Sequence, residues 1–263
     1  MNREERAKKA HETLDIFNRG SYKIHGNNVV CKSCFTTNFI PEEQLDEIVL
    51  SSSDHKPHYE VVNESVVTTI LREAGQNCGV LNFASAKNPG GGFLNGSIAQ
   101  EEALAVSSDL YLSQLQAQRF YDINRQNKSA LYTHNMIYSS QVTFIRDERL
   151  NLLNKPMMLN VLTSPAVNAG AYYKNESGSK AIVLSVMDQR IKYILSVFAS
   201  KGDAIIILGA FGCGVFQNDA SDVAHLFHKN LMTVGLERHF KRIIFAIYDK
   251  KGDQYNAFKQ KFI

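Results

Sequence analysis

The sequence predicts an α/β protein in which a mixed sheet lies between two layers of helices. A chain of 263 residues with 44% hydrophobic side chains is long enough to bury one large core. From about Val61 onward, apolar strand-like runs alternate with helical runs, which is typical of an α/β/α sandwich. No low-complexity linker divides the chain and we find no internal repeat, so we expect one structural unit.

The first sixty residues predict a helical extension packed on that core. Ala7, Ala10, Leu14 and Phe17 mark one apolar face of a helix that Gly20 can end. We therefore divide the chain into an extension over residues 1–60 and a main domain over residues 61–263. The elements expected in the main domain are a helix over 64–76, a strand over 80–86, a helix over 98–118, a strand over 157–163, a helix over 181–200, a strand over 204–209, a helix over 220–234 and a strand over 243–248.

The predicted strand over 80–86 leads into three consecutive glycines. Asn88 and Pro89 are turn formers, so Gly90, Gly91 and Gly92 lie in a loop at the exit of the strand. Because this stretch has no side chains, its backbone N–H groups can approach an anionic ligand closely. The alternative is a glycine-rich loop with no ligand.

Two adjacent carboxylates follow this loop, at the start of the next predicted helix. Ser97 and Gln100 have capping-box spacing, which places Glu101 and Glu102 in the first helical turn. The positive end of a helix favours an ionised carboxylate, whereas burial and a charged neighbour favour a protonated one. The pair therefore suits general acid/base chemistry, in which one glutamate stays ionised and the other exchanges a proton. The alternative is an ordinary charged helix start.

A second glycine-rich loop follows the predicted strand over 204–209. Gly209, Gly212 and Gly214 are spaced along it, and Asp219 or Ser221 can cap the next helix. A strand, a glycine-rich turn and a helix N-terminus together form an anion cradle. A tight turn that merely needs glycine is the alternative, and two such loops in one chain make it less attractive.

The residues from Asn82 to Glu102 closely resemble the diagnostic motif of poly(ADP-ribose) glycohydrolases, in particular the bacterial-type branch built on a macrodomain. The second loop, GAFGCGVF over 209–216, resembles the family's other ligand loop, with Phe211 in place of the usual tryptophan. Shorter matches extend the resemblance over most of the chain, at 12–14, 132–133, 137–139, 163–168 and 190–191. The resemblance implies a macrodomain-like three-layer fold.

The resemblance also implies an exo-type hydrolase of the ribose–ribose O-glycosidic bond, with poly(ADP-ribose) and ADP-ribosylated proteins as partners and ADP-ribose as product. By this resemblance Glu102 is the catalytic acid and base, and Glu101 orients the sugar through ribose hydroxyls. Asn88 and Gln100 are expected to position the loop and the terminal ribose. The backbone amides expected to bind the diphosphate belong to Gly90, Gly91, Gly92, Gly212, Cys213, Gly214, Val215 and Phe216, with Phe216 also packing against ribose.

Two alternatives share this binding site. One is a hydrolase that acts on mono-ADP-ribosylated protein or nucleic-acid ends. The other is a non-catalytic ADP-ribose-binding macrodomain, against which the intact glutamate pair argues.

Residue spacing and charge argue against a metal site and against nucleic-acid binding. Cys31, Cys34, His55 and His58 have a spacing unlike that of the usual zinc finger, and the resembled family needs no metal, so we expect neither metal nor cofactor. The net charge of +3 comes without a dense basic cluster, which disfavours direct DNA or RNA binding. We also expect free thiols and no membrane segment, hence an intracellular protein, cytoplasmic or, in a eukaryotic or viral setting, nuclear.

Overall fold

The computed structural model describes residues 1–73 and 77–263 and has a mixed seven-stranded sheet as its central layer. The strands are β1 (Ser21–Ile24), β2 (Asn27–Val30), β3 (Thr36–Ile40), β4 (His58–Val62), β5 (Cys78–Phe83), β6 (Met136–Arg146), β7 (Leu152–Ser164), β8 (Ile205–Leu208) and β9 (Arg242–Ala246). The helices are α1 (Arg3–Arg19), α2 (Val66–Arg72), α3 (Gln100–Ser107), α4 (Leu110–Gln116), α5 (Gln118–Gln126), α6 (Ala169–Asn175), α7 (Lys180–Ser200), α8 (Ala220–His228) and α9 (Asp253–Phe262).

The strand order of the sheet is β3-β6-β7-β5-β8-β9-β4. Pairing is parallel from β7 through β5, β8 and β9 to β4, and antiparallel where β6 meets β7 and β3. Since parallel strands end at the same edge, the loops that leave β5 and β8 emerge side by side. These two loops are the glycine-rich segments singled out by the sequence.

Both faces of the sheet are buried, as strand β8 shows. Ile205 and Ile207 pack in the core beneath α2 and α3, whereas Ile206 and Leu208 pack in the larger core beneath α7, α8 and α9. This alternation follows from the two-residue period of a strand, and a strand buried on both faces is apolar throughout. The predicted three-layer α/β class is therefore confirmed.

Helix α1 begins with a capping box between Asn2 and Glu5 and ends at Gly20, whose φ of 74° is left-handed. That end was predicted, because glycine enters this region without a Cβ clash. Residues 21–30 form the β1–β2 hairpin, and β3 pairs with β6 at the edge of the main sheet. The division of the chain at residue 60 stays a prediction.

Three predicted helices are shorter than expected. The helix predicted over 98–118 is broken at Ser108, which is extended and bridges to Phe144, and Asp109 accepts a hydrogen bond from Thr143 N–H at 2.8 Å. The helix predicted over 220–234 changes at His228 into a π-helical turn over Lys229–Thr233. Of the helix predicted over 64–76, residues 66–72 are helical, and 74–76 lie outside the described residues.

The sequence patterns did not predict the following elements: β1, β2, β3, β4, β6, α5, α6 and α9. Strand β5 is also shorter than predicted and ends at Phe83. Among the described residues, no helix combines the length and apolarity needed to cross a membrane.

Candidate active site

The first loop turns on two glycines in left-handed conformation, Gly90 with φ 64° and Gly91 with φ 59°. A Cβ on Gly91 would lie 2.5 Å from Oε1 of Glu102 and 3.1 Å from Oε2 of Glu101. Glycine is therefore required twice over, for the backbone conformation and for the close approach of the carboxylates.

The amides of this loop are all used inside the protein. Gly90 N–H donates to Oε1 of Gln114 at 2.8 Å, Gly91 N–H to the carbonyl of Asn88 at 3.0 Å, and Gly92 N–H to Oε1 of Glu102 at 2.9 Å. This differs from the expected anion cradle. The loop is built around protein oxygens, so its three N–H groups are already satisfied, and Asn88 is exposed at its mouth.

Both glutamates lie in the first turn of α3, as predicted, but the expected capping box is absent. The N-cap is Ala99, which makes no side-chain cap bond, and Ser97 packs against Gly92 instead. Gln100 turns to strand β5, where its Oε1 accepts from Phe83 N–H at 2.8 Å and its Nε2 donates to the carbonyl of Leu81 at 2.7 Å. The side-chain amide of Gln100 thus bonds two backbone groups of β5 and fixes the start of α3 relative to this strand.

Glu101 is buried, with 3% of its surface exposed, and is held by donors only. Oε2 accepts from Ser85 N–H at 2.7 Å, and Oε1 accepts from Nε2 of Gln114 at 2.9 Å and Nδ2 of Asn82 at 3.2 Å. Burial raises the pKa of Glu101 to about 7, the three donors oppose that rise, and the charge of Glu102 adds to it. The two carboxyl groups are thus electrostatically coupled.

Glu102 is partly exposed at the mouth of the loop. Its Oε1 accepts from Gly92 N–H, and its Oε2 has no hydrogen-bond partner among residues 1–73 and 77–263. The pair therefore consists of one sequestered carboxyl group and one that faces outward, which is the division of roles that acid/base chemistry needs.

The second loop presents free amides. Within the described chain, the N–H groups of Gly212, Gly214, Val215 and Phe216 donate to no protein acceptor, whereas Cys213 N–H donates to the carbonyl of Ala210 at 3.1 Å. Nothing lies within 4 Å of a Cβ placed on Gly214, and the side chain of Val215 is 84% exposed. Closely spaced free N–H groups in an open turn form a site for phosphate oxygens.

The second loop is anchored from below. Nδ2 of Asn218 donates to the carbonyls of Val167 at 2.8 Å and Gly212 at 3.0 Å. Asp219 caps α8, as one of the two predicted caps. Phe211 is fully buried and packs against Phe83 with ring centroids 5.5 Å apart, so it joins the bases of the two loops.

An aromatic pair stands beside the second loop. The rings of Tyr132 and Phe216 are 6.0 Å apart, and Tyr132 has a left-handed φ of 56°. The fully buried Arg190 donates to the carbonyls of Leu131, Tyr132 and Pro165, which holds the Tyr132 turn in place. Burial lowers the pKa of Arg190 to about 9.

Sequence reasoning assigned no role to Arg190 or Gln114. Arg190 falls in the 190–191 match to the family, but Asp188, Gln189 and Lys192 surround it in α7, so no local pattern set it apart. Gln114 had no local signal either, because a glutamine inside a helix is ordinary.

Two of the four residues whose spacing was compared with that of a zinc finger are cysteines in different surroundings. Cys31 is buried and Cys34 is exposed, and both are free thiols. Across 1–73 and 77–263, no group of three His, Cys, Asp or Glu residues is placed to hold a metal ion.

A mixed sheet of macrodomain type carries paired carboxyl groups in the first turn of α3 and free amides on the loop after β8, an arrangement suited to a glycosidase. The family model "Microbial-type PARG, catalytic domain" matches residues 10–147. The chain belongs to this family of poly(ADP-ribose) glycohydrolases and is a glycosidase.

Solved structures agree with this assignment. The chain is similar to poly(ADP-ribose) glycohydrolase from Thermomonospora curvata, at 33% identity and TM-score 0.92, over 99% of this chain and 100% of that one. The same Thermomonospora enzyme bound to the inhibitor ADP-HPD gives a TM-score of 0.90 at 33% identity, with the same coverage. The Deinococcus radiodurans enzyme in complex with ADP-ribose gives 37% identity and TM-score 0.79, over 86% of this chain and 93% of that one. Among curated proteins, no sequence matches the chain.

Proposed function

We propose that the protein releases ADP-ribose from the end of poly(ADP-ribose) by hydrolysing the ribose–ribose O-glycosidic bond, with Glu102 as general acid and base. The observation that carries the proposal is the setting of Glu102. One oxygen is fixed by Gly92 N–H at 2.9 Å, and the other is unbonded within the described residues and lies in a partly exposed carboxyl group. A fixed carboxyl group with one free oxygen is suited to exchange a proton with a bound substrate.

The reaction follows from that geometry. Protonated Glu102 gives its proton to the bridging oxygen while the bond from this oxygen to the anomeric carbon breaks, and the bonding electrons leave with the oxygen. Positive charge develops at the anomeric carbon in an oxocarbenium-like state. The Glu102 carboxylate then takes a proton from water, and the water oxygen adds to the anomeric carbon, which yields ADP-ribose and restores protonated Glu102.

We assign to Glu101 the orientation of the sugar. Oε1 accepts two donors, from Gln114 and Asn82, whereas Oε2 accepts only Ser85 N–H and has capacity for one ribose hydroxyl. An ionised Glu101 also places negative charge near the developing oxocarbenium ion, and fixed charge in a buried site is effective for this purpose. Asn88, exposed at the mouth, is assigned to the terminal ribose, and Gln100 acts through its bonds to β5.

The diphosphate is assigned to the second loop. The free amides of Gly212, Gly214, Val215 and Phe216 supply the donors, and the ring of Phe216 supplies the surface against which a ribose packs. Gly90, Gly91 and Gly92 contribute space instead, because their own amides are used by the protein. Binding the diphosphate at a fixed place lets remote contacts orient the anomeric carbon next to Glu102.

The test compares wild type with Glu102→Gln on automodified poly(ADP-ribose) polymerase, without added metal, and follows free ADP-ribose by chromatography. We expect turnover to fall at least about a hundredfold, the usual reach of general acid/base catalysis, while ADP-ribose affinity stays within roughly tenfold. Glu43→Gln, on an exposed residue of the 42–44 turn, is the matched control.

Undiminished release by Glu102→Gln would refute the assignment. A mono-ADP-ribosylated protein serves as a second substrate. Release of ADP-ribose from the mono-ADP-ribosylated protein alone would identify the mono-ADP-ribosyl linkage as the substrate. Tight ADP-ribose binding without release from either substrate would indicate a non-catalytic ADP-ribose-binding protein.

A further inference from the structure

Gln114 in helix α4 forms hydrogen bonds both to the glycine loop and to Glu101. Its side chain is fully buried. Oε1 accepts from Gly90 N–H at 2.8 Å, and Nε2 donates to Oε1 of Glu101 at 2.9 Å. The residue lies twelve positions beyond the glutamate motif, and no sequence pattern singled it out.

The chemistry at this position admits few side chains. A backbone N–H can only donate, so the atom that faces Gly90 must be an acceptor. The other neighbour is a carboxylate that already collects donors from Ser85 and Asn82, so the atom that faces Glu101 is best a donor. A neutral amide supplies both ends, and these two partners fix which way it points.

The backbone that carries Gln114 is itself fixed. The neighbouring Ser113 donates through its hydroxyl to Oγ of Ser139 at 2.7 Å and shares a 2.6 Å hydroxyl contact with Thr37. Thr37 lies in β3 and Ser139 in β6, so α4 is tied to two strands of the sheet. A side chain on a helix that is held in this way can keep a catalytic group at a defined position.

We propose that Gln114 is a positioning residue of the glycohydrolase reaction, which sets the place and the charge state of Glu101 and locks the turn at Gly90 in register with it. This inference rests on the proposed function, in which Glu101 orients the sugar. A charge-assisted hydrogen bond stabilises the ionised form of a buried carboxyl group, so removing this donor favours protonated Glu101.

Two variants separate positioning from mere packing. Gln114→Leu removes the donor and the acceptor together at nearly constant volume. Gln114→Glu is isosteric and changes character with pH: when protonated it offers an O–H to Glu101 and a carbonyl to Gly90, and when ionised it opposes the charge of Glu101. Gln116→Leu, at an exposed position of the same helix, is the matched control.

The first measurement is independent of turnover. The carboxyl carbon of Glu101 is followed by 13C NMR across pH in glutamate-labelled protein, with the signal assigned by its loss in Glu101→Gln. We expect the titration midpoint of Glu101 to rise by about one to two pH units in Gln114→Leu, the shift that corresponds to the loss of one hydrogen bond to a charged group. The midpoint should not change in Gln116→Leu.

The second measurement is kcat against pH. The activity of Gln114→Glu relative to wild type should increase at least about tenfold between pH 8 and pH 5, as its new carboxyl group becomes protonated, whereas the relative activity of Gln114→Leu should show no such recovery. An unchanged Glu101 midpoint in Gln114→Leu, or a ratio for Gln114→Glu that does not vary with pH, would overturn the proposal. If wild type itself releases no ADP-ribose, the proposed function fails, and the NMR titration still decides whether Gln114 controls Glu101.

Discussion

Gly91→Ala should slow turnover sharply while the protein still folds. The added Cβ would lie 2.5 Å from Oε1 of Glu102, and ordinary van der Waals contact begins near 3.4 Å, so the oxygen must move by close to an ångström. A displacement of about 1 Å at a catalytic group can cost on the order of a hundredfold in rate. The left-handed φ of 59° adds a backbone cost of about 1–2 kcal/mol to folding, because alanine carries a Cβ.

The assay measures kcat and KM for ADP-ribose release together with the midpoint of thermal unfolding. We expect kcat to fall about tenfold to a hundredfold. The melting temperature should fall by roughly 2–8 °C, from the backbone cost and the usual entropy of unfolding of a protein of this size.

Gly202→Ala is the control for backbone strain alone. Gly202 has a φ of 73°, in the same left-handed region, and nothing lies within 4 Å of a Cβ placed on it. It should lose comparable stability with no change in kcat. A Gly91→Ala enzyme with wild-type kcat, or a Gly202→Ala enzyme equally slowed, would refute the argument that the missing Cβ makes room for Glu102.

Three further predictions concern the loops and the buried titrating groups. Asn218→Ala removes the bond to the Gly212 carbonyl, and we expect about a tenfold weaker Kd for ADP-ribose by calorimetry with kcat unchanged; unaltered affinity would contradict the anchoring role. The pKa of Glu101 is about 7 in the folded protein and near 4.5 in the unfolded chain, so its contribution to stability falls as pH rises between these values. The free energy of unfolding of wild type relative to Glu101→Gln, measured in urea, should therefore be greater at pH 5 than at pH 8. The opposite order would exclude a raised pKa. Burial and the charge of Arg190 lower the pKa of His134 from 6.5 to about 4, so the free energy of unfolding should decline as pH falls from 6.5 to 4. His134→Gln should lessen that decline. An identical decline in wild type and variant would contradict the lowered pKa.

The central strands were predictable because parallel strands buried on both faces leave continuous apolar runs. The run over 204–209 is a clear case, and β8 occupies Ile205–Leu208. Strand β6 was missed for the converse reason. It contains the polar stretch 138–141, has an irregular register between Ser139 and Val142, and passes through Gln141 with a φ of 56°. A bulged strand does not keep the two-residue alternation from which strands are recognised.

The site was predictable only in part. The positions of Glu101 and Glu102 at a helix start follow from local sequence, and so does the second glycine-rich loop. The prediction that the amides of Gly90 to Gly92 are free did not anticipate that Gln114 and Glu102 would occupy two of them. Those bonds depend on tertiary placement of α3 and α4, which no local pattern encodes.

The site depends on the pairing of β5 with β8, because each of these strands leads into one of its two loops. Cys78 pairs with Ile205, so segments more than 120 residues apart in sequence become adjacent when β5 and β8 pair. A ligand that touches both loops therefore favours the paired strands, and by mass action it stabilises the protein against partly unfolded forms in which β5 and β8 are apart. Neither half of the chain alone can be expected to bind it, and ligand-dependent protection from proteolysis should extend well beyond the residues that the ligand touches.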